Sequence, residues 1–519
     1  MLMVREIIPR LLLVMTLLAL VVPVATSAVA QNPEKSTPPA ETAPVELDAE
    51  TAKQLRGWHR EAEQLYLAGK HGEALDLWKR ILEVDPTDTI ALYNSACAKV
   101  KLGDHEDAVK LIELAILNGF VDFEDLERDP DLDPIRDHPR IRLILDTIDE
   151  IMTEAFSEAA EYMQSWAGEV LGPDAIIERD DTHRFVYATN LDQTAHASMR
   201  RTIERQLEYQ IDHLFGGPPN SYVLVLAPSP ERADAMLQSV RIGGVYEHDK
   251  RRLITREIGP SLRHEITHAV HHAHMDRLNQ RHPMWIQEGL AALFEFYEFD
   301  SSGEIRPLDN TRINIAINLA RGAGLTDWRE FFSADDRRFT QVRPRAKYAE
   351  ARAIFQYLAE HEKLVEWYES YTDGYRDDPT GARAFEEVFG QDLDTIEREF
   401  RLWLRNREKA PERIREDEAS LGVWVADQGA NDGVLVVGLH DGGAARRSGL
   451  RSRDVITAID GQPVYVVEEI IYEIARRHEG DTVTLRVRRG TRYDEITVEL
   501  QPVKPLRHTV IVQEPGVAV

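Results

Sequence analysis

The sequence predicts a multidomain α+β chain: α-helical repeats near the N-terminus, a central domain mixing a small sheet with helices, and a compact β-rich domain at the C-terminal end. Three observations lead there. Between residues 54 and 118, small and aromatic positions of helix-like runs recur after 34 residues, as Ala62 with Ala96 and Ala74 with Ala108 do. Between 185 and 268, short apolar strands alternate with helical patterns. After about 418, brief Val, Ile and Leu runs are punctuated by glycine. A chain of 519 residues is also too long for one hydrophobic core.

Composition narrows the function classes. The net charge is −28, so nucleic acid phosphates would be repelled and no nucleic acid partner is expected. Cys97 is the only cysteine, which excludes an intramolecular disulfide and a thiolate metal site. The start reads as an export signal over residues 1–30: Arg5 and Arg10, then the apolar run Leu11 to Val24, then Ala28-Val29-Ala30 before Gln31. The expectation is an exported protein, periplasmic or extracellular, or held at a membrane if this segment is retained. Residues 31–50, rich in Pro, Thr, Ala and Glu, read as a disordered linker.

Taken in order, the helical repeats are expected over 51–148, with Asp85-Pro86-Thr87-Asp88 as the break between units and Cys97 buried among helix formers. Such helix pairs usually present a protein-binding surface. The central domain is expected over 150–408. Its strands are Phe185-Val186-Tyr187 and Ser221 to Leu226, followed by a hairpin around His248-Asp249-Lys250. Either strand of that hairpin offers an edge for an extended peptide. The basic Lys250-Arg251-Arg252 reads as solvated surface. Gly259-Pro260 opens the next helix, with Ser261 a candidate cap. Helices are expected at 285–296, 313–320, 348–360, 364–371, 382–388 and 393–404, and a charged linker at 408–417. The β-rich domain fills 418–505, with a helix near Val467–Arg477.

His264-Glu265-Ile266-Thr267-His268 is H-E-x-x-H. Residues four apart share a helix face, so His264 and His268 can hold one zinc ion, with Glu265 beside them as general base for a zinc-activated water. Leu262, Ile266, Ala269 and Val270 give this helix an apolar side. Twenty positions after His268, within Trp285-Ile286-Gln287-Glu288-Gly289-Leu290-Ala291, Glu288 can supply the third ligand. His274 is the alternative third ligand, but the position that should be glycine for the chain to leave the helix is His271. Tyr297, Tyr348 and His274 are candidate oxyanion donors.

These stretches resemble known families. H-E-x-x-H with W-x-x-E-G-x-A resembles the glutamate-zincin metallopeptidases, and among them the peptidase MA-like group of exported bacterial proteins, over about 180–405. That resemblance implies a two-lobed zincin-like peptidase domain, Zn2+ held by His264, His268 and Glu288, and Glu265 as base. An aminopeptidase-type G-A-M-E-N stretch is missing from the upstream sequence. Residues 54–118 resemble tetratricopeptide repeats. The Gly-Gly-x-Ala, Gly-Leu and Ile-x-Gly-x-x-Val run near 442–464 resembles a bacterial PDZ domain. By that likeness Leu421-Gly422-Val423 is the loop that receives a peptide C-terminus. The expectation is a zinc endopeptidase acting on exported or envelope proteins. Its partners would be protein or peptide substrates, a C-terminal peptide at the PDZ domain and a protein at the repeats. An inactive scaffold and a zinc aminopeptidase are the competing readings.

Overall fold

A computed structural model describes residues 49–502, apart from 119, 121–125, 128, 238–242, 323 and 416–417. The export signal, most of the linker after it and the last residues of the β-rich domain's expected span lie outside the described residues. The chain divides into two compact units at Ala159/Ala160. Among the described residues no helix is long and apolar enough to cross a membrane.

The first unit holds four antiparallel helices: α1 (Ala49–Leu67), α2 (His71–Val84), α3 (Thr89–Lys101) and α4 (His105–Leu117). Ala62, Ala74, Ala96 and Ala108 are fully buried, which lets neighbouring helices approach closely. Asp88 caps α3 through the Ala91 N–H at 2.8 Å. Cys97 is buried, as expected, with Tyr93 beside it donating to Asp129 at 2.9 Å. A short α5 (Asp133–Arg136) follows, then α6 (Pro139–Leu171).

The second unit begins with a five-stranded sheet. Its strands are β1 (Ile176–Asp180), β2 (Phe185–Thr189), β3 (Val223–Ala227), β4 (Gly244–Glu247) and β5 (Arg252–Thr255), in the order β1-β2-β3-β5-β4. The central strands β2, β3 and β5 run parallel, and the two edges are antiparallel. Every residue of β2 and β3 is buried, because helices cover both faces of a parallel core. β1 has no clear apolar alternation, so the sequence did not announce it. Between β2 and β3 lies α7 (Gln193–Gln210), extended by a π turn to Phe215. After β3 comes α8 (Pro230–Leu237).

Helix α9 (Pro260–Arg277) carries the H-E-x-x-H residues. Pro260 opens it, but Ser261 is not its cap. The buried Glu257 carboxylate accepts from the Gly259 and Ser261 N–H groups instead. Helix α10 (Met284–Leu293) carries Glu288 and stops short of the expected Phe296. A hairpin replaces its last turn, formed by β6 (Tyr297–Phe299) and β7 (Ile305–Pro307). Seven helices complete the domain: α11 (Thr311–Arg321), α12 (Trp328–Phe332), α13 (Asp336–Gln341), α14 (Pro344–Glu360), α15 (Leu364–Asp373), α16 (Ala382–Phe389) and α17 (Leu393–Asn406). They pack α10 into an aromatic core with Trp285, Phe355, Trp367 and Phe385 at its centre. The buried Arg352 guanidinium donates to the carbonyls of Ala292, Leu293, Phe296 and Leu308, which satisfies the end of α10.

The stretch read as a charged linker is fastened to this body. Asn314 bonds both ways with Ala410 and donates to Glu412, and Arg407, just before the stretch, pairs with Asp309 and Glu360. The β-rich domain follows: β8 (Ala419–Ser420), β9 (Val423–Ala426), β10 (Val434–Leu439), α18 (Ala444–Arg447), β11 (Val455–Ile459), β12 (Gln462–Pro463), α19 (Val467–Ala475), β13 (Thr482–Arg489), β14 (Arg492–Glu499) and β15 (Gln501–Pro502). Its main sheet runs β14-β13-β11-β10-β9, leaving β9 at an edge beside α19. The Tyr465 side chain reaches out of this domain into the buried core of the sheet-and-helix body, while its backbone N–H donates to Glu469 of α19 at 2.7 Å.

Gly289, next to Glu288, sits where α10 meets α14. A Cβ there would lie 3.1 Å from the Ala351 carbonyl and closer still to the Phe355 ring. Gly289→Ala is therefore expected to lower stability by about 1–3 kcal/mol, read as a fall in the urea unfolding midpoint with the slope unchanged.

Candidate metal centre

Helical periodicity sets His264 and His268 one turn apart on α9, and the return of the chain through α10 brings Glu288 up to them. The His264 and His268 Nε2 atoms are 3.1 Å apart. Glu288 lies 3.4 Å from His264 Nε2 through Oε2 and 3.8 Å from His268 Nε2 through Oε1. One ligand atom from each of the three falls within 4.8 Å of the others. Ligands about 2.0–2.2 Å from a tetrahedral ion stand roughly 3.3–3.6 Å from one another, so this spacing fits a metal of zinc size. The donor set, two imidazoles and a carboxylate, suits zinc chemically as well.

The surroundings fix the ligands. His264 Nδ1 faces Glu295 Oε1 at 2.9 Å. With Nδ1–H donated to Glu295, the Nε2 lone pair is left for a metal. Arg312 from α11 holds the same carboxylate at 2.8 and 2.9 Å. These partners keep Glu295 well below the usual carboxylate range despite its burial. Without a cation the two histidines split. Burial opposes protonation of His264, but Glu288 and Glu295 raise it to about 10. Burial brings His268 down to about 4. Glu288 stays below its ordinary value against burial, through His268 and His264.

Glu265 lies beside the cluster under the edge strand β4. Burial, and then Glu288, push its carboxyl up to about 7, while the Tyr246 backbone N–H donates to it. Gly244 makes this approach possible, because a Cβ there would stand 2.7 Å from Glu265 Cγ. Tyr348 from α14 lies close to Glu288, and burial, then that carboxylate, keeps its phenol protonated.

Two other candidates lie elsewhere. Tyr297 is turned to the adjacent face of α9 and donates to Gln206 at 3.2 Å, within a network that includes Thr267. His274 stays on the continuing helix, with Nδ1 3.0 Å from the Tyr368 hydroxyl. His271 propagates the helix, so His274 does not reach the cluster. Lys250 and Arg252 both pair with Glu247.

At the β-rich domain, Leu421-Gly422-Val423 leads into edge strand β9. Gly422 has φ +70°, and its carbonyl accepts the His440 N–H at 3.0 Å. A Cβ there would lie 3.1 Å from Gly443 Cα, so the position needs glycine on two counts. Sequence reasoning missed the contacts of this domain with α9. Tyr465 packs against Gly259, where a Cβ would clash with it, and its hydroxyl meets Ser198 and Thr202 at 2.8 and 2.6 Å. Glu469 of α19 binds Arg263 at 2.8 Å, and Arg263 in turn donates to the Glu295 carbonyl at 2.7 Å. Glu468 accepts the Thr311 N–H at the start of α11.

A histidine pair one helical turn apart, closed by a glutamate from the next helix, is the donor arrangement of zincin-type metallopeptidases in general. The C-terminal module is a PDZ domain: the PDZ domain family profile matches residues 419–500. A second profile, a protein of unknown function (DUF1570), matches residues 260–376, the span carrying all three donors. A chloroplast protein of Arabidopsis thaliana is 33% identical over 94 residues, 18% of this chain and 28% of that protein. The chain thus spans under a third of that relative.

Among solved structures, the HtrA-type protease AlgW with decapeptide shares 27% identity over 17% of this chain and 30% of that one, at a TM-score of 0.16. An aminopeptidase N family protein from Idiomarina loihiensis shares 13% identity over 64% and 68%, at a TM-score of 0.28. Superpositions this loose carry no structural argument for the chain.

Glu295 is the residue outside the motifs whose loss should be felt at the metal. Glu295→Gln is expected to weaken zinc affinity roughly 10–100-fold in competition with a chromogenic chelator. Unchanged affinity would show that the Nδ1 contact does not orient His264.

Proposed function

We propose that the chain is a zinc-dependent peptidase and, within that class, an endopeptidase acting outside the cytoplasm. The observation that carries this reading is the convergence of His264, His268 and Glu288 with a raised, buried Glu265 alongside. Zinc held there would polarise a scissile carbonyl and acidify a water. Glu265 is the group to take that water's proton and return it to the leaving amine, its burial beside the cluster favouring proton uptake. Tyr348, protonated and next to Glu288, is the donor for the developing oxyanion. The β4 edge, beside Glu265, offers an extended substrate backbone groups to pair with.

The sheet and the later helices then serve as the two lobes about this cleft. The repeats of the first unit, read as tetratricopeptide-like, serve as a protein-docking surface, and the β9 edge with Leu421-Gly422-Val423 as the seat of a peptide C-terminus. A binding scaffold is the second reading, favoured by the PDZ domain. Export rests on Arg5, Arg10 and the apolar run after them.

Glu265→Gln should retain stoichiometric zinc and lose about 10²–10⁴ in peptide hydrolysis. Equal cleavage by both proteins would remove the assigned base. An N-terminally blocked peptide should be cut. Turnover of free N-termini alone would make the protein an aminopeptidase, and zinc without turnover would leave the scaffold. Tyr348→Phe should lower kcat about 10²–10³-fold with little change in KM.

A further inference from the structure

A half-open cavity of about 900 Å3 lies between α7, the β6–β7 hairpin and the PDZ domain, on a different side of α9 from the metal ligands. Its walls are cationic in a chain whose net charge is −28. Arg201 and Arg205, one turn apart on α7, supply one wall. Arg476, just past α19, and Arg486 on β13 supply the other.

The four carboxylates lining the cavity are already engaged, and Glu495, opposite Arg486 across the β13–β14 pair, lines the adjoining cleft instead. Asp432 is held by Arg488 at 2.6 Å, Glu473 by Arg477 at 2.9 Å and Glu469 by Arg263 at 2.8 Å, and Glu298 pairs with Arg306. The arginines are not. Among the described residues, Arg201, Arg205 and Arg486 have no carboxylate within 4.0 Å, and Arg476 reaches Glu473 only at 3.9 Å. Three of the four are steadied by rings: Arg205 at 4.1 Å over Phe299, Arg476 at 4.9 Å over Tyr472 and Arg486 at 5.0 Å over Tyr493. Stacking of this kind orders a guanidinium and leaves its in-plane N–H groups for a ligand.

We infer that this cleft binds an acidic segment of a polypeptide, its carboxylates on the ring-held arginines and its backbone between the two walls. The charges stand on separate walls with aromatic surface between them. That layout suits carboxylates spaced along an extended chain better than one compact anion, and the volume is that of a site for many more atoms than a phosphate. Such binding needs no catalysis and holds whether or not the metal centre hydrolyses peptides.

The test is fluorescence anisotropy with the full chain and a short labelled peptide alternating glutamate and serine. Binding should weaken as salt is raised and should be lost when glutamine replaces glutamate. Reversing Arg201→Glu, Arg205→Glu and Arg486→Glu together should weaken it roughly tenfold or more, while Arg337→Glu on the distant α13 should not. Far-UV circular dichroism and the unfolding midpoint check that the triple variant is folded. Equal binding of the glutamine peptide, or an unaffected and folded triple variant, would overturn the assignment. So would displacement by inorganic phosphate or an oligonucleotide at concentrations where the free glutamate peptide fails to compete.

Discussion

Glu295 is where the cluster of His264, His268 and Glu288 is joined to the rest of the molecule. Its carboxylate takes His264 on one side and Arg312 on the other, and its backbone carbonyl takes Arg263. A buried carboxylate left without such partners would be costly, so Glu295, Arg312 and His264 hold one another in place, with Arg263 fixed on the Glu295 carbonyl. The consequence for the site is a fixed tautomer and a fixed ring. Through Arg263 and Glu469 the same cluster reaches the first turn of α19 in the PDZ domain. Through Glu468 and Thr311 that turn also holds the start of the helix carrying Arg312.

Much of the ligand cluster was legible because helical periodicity is local. Residues four apart meet without help from the fold, so His264 and His268 could be paired by counting. Glu288 needed only a short return of the chain onto the same helix, which the tryptophan and glycine around it made plausible. The helix boundaries were less readable. α10 ends at Leu293 because Arg352, distant in sequence, takes up the carbonyls of its last two residues.

Glu295 was not legible. It lies beyond the helix that carries Glu288, in a run of aromatic and acidic residues with no pattern, and its partners come from other elements. The one available signal was its spacing of seven from Glu288, two helical turns, and the chain leaves the helix before reaching it. Tyr297 and Tyr348 were indistinguishable as sequence. Which faces the cluster depends on the β6–β7 hairpin turning one of them toward Gln206. Arg201, Arg205, Arg476 and Arg486 are scattered along the chain, so their common cavity had no linear trace.

Tyr465 adds a temporal consequence. It stands far downstream of α9 in synthesis, yet it covers Gly259 at the very start of that helix. A chain still being made, with Tyr465 not yet clear of the ribosome, has the histidines but lacks the cover over the helix that bears them. The nascent chain therefore completes the support of that helix only after the segment between β12 and α19 has been made.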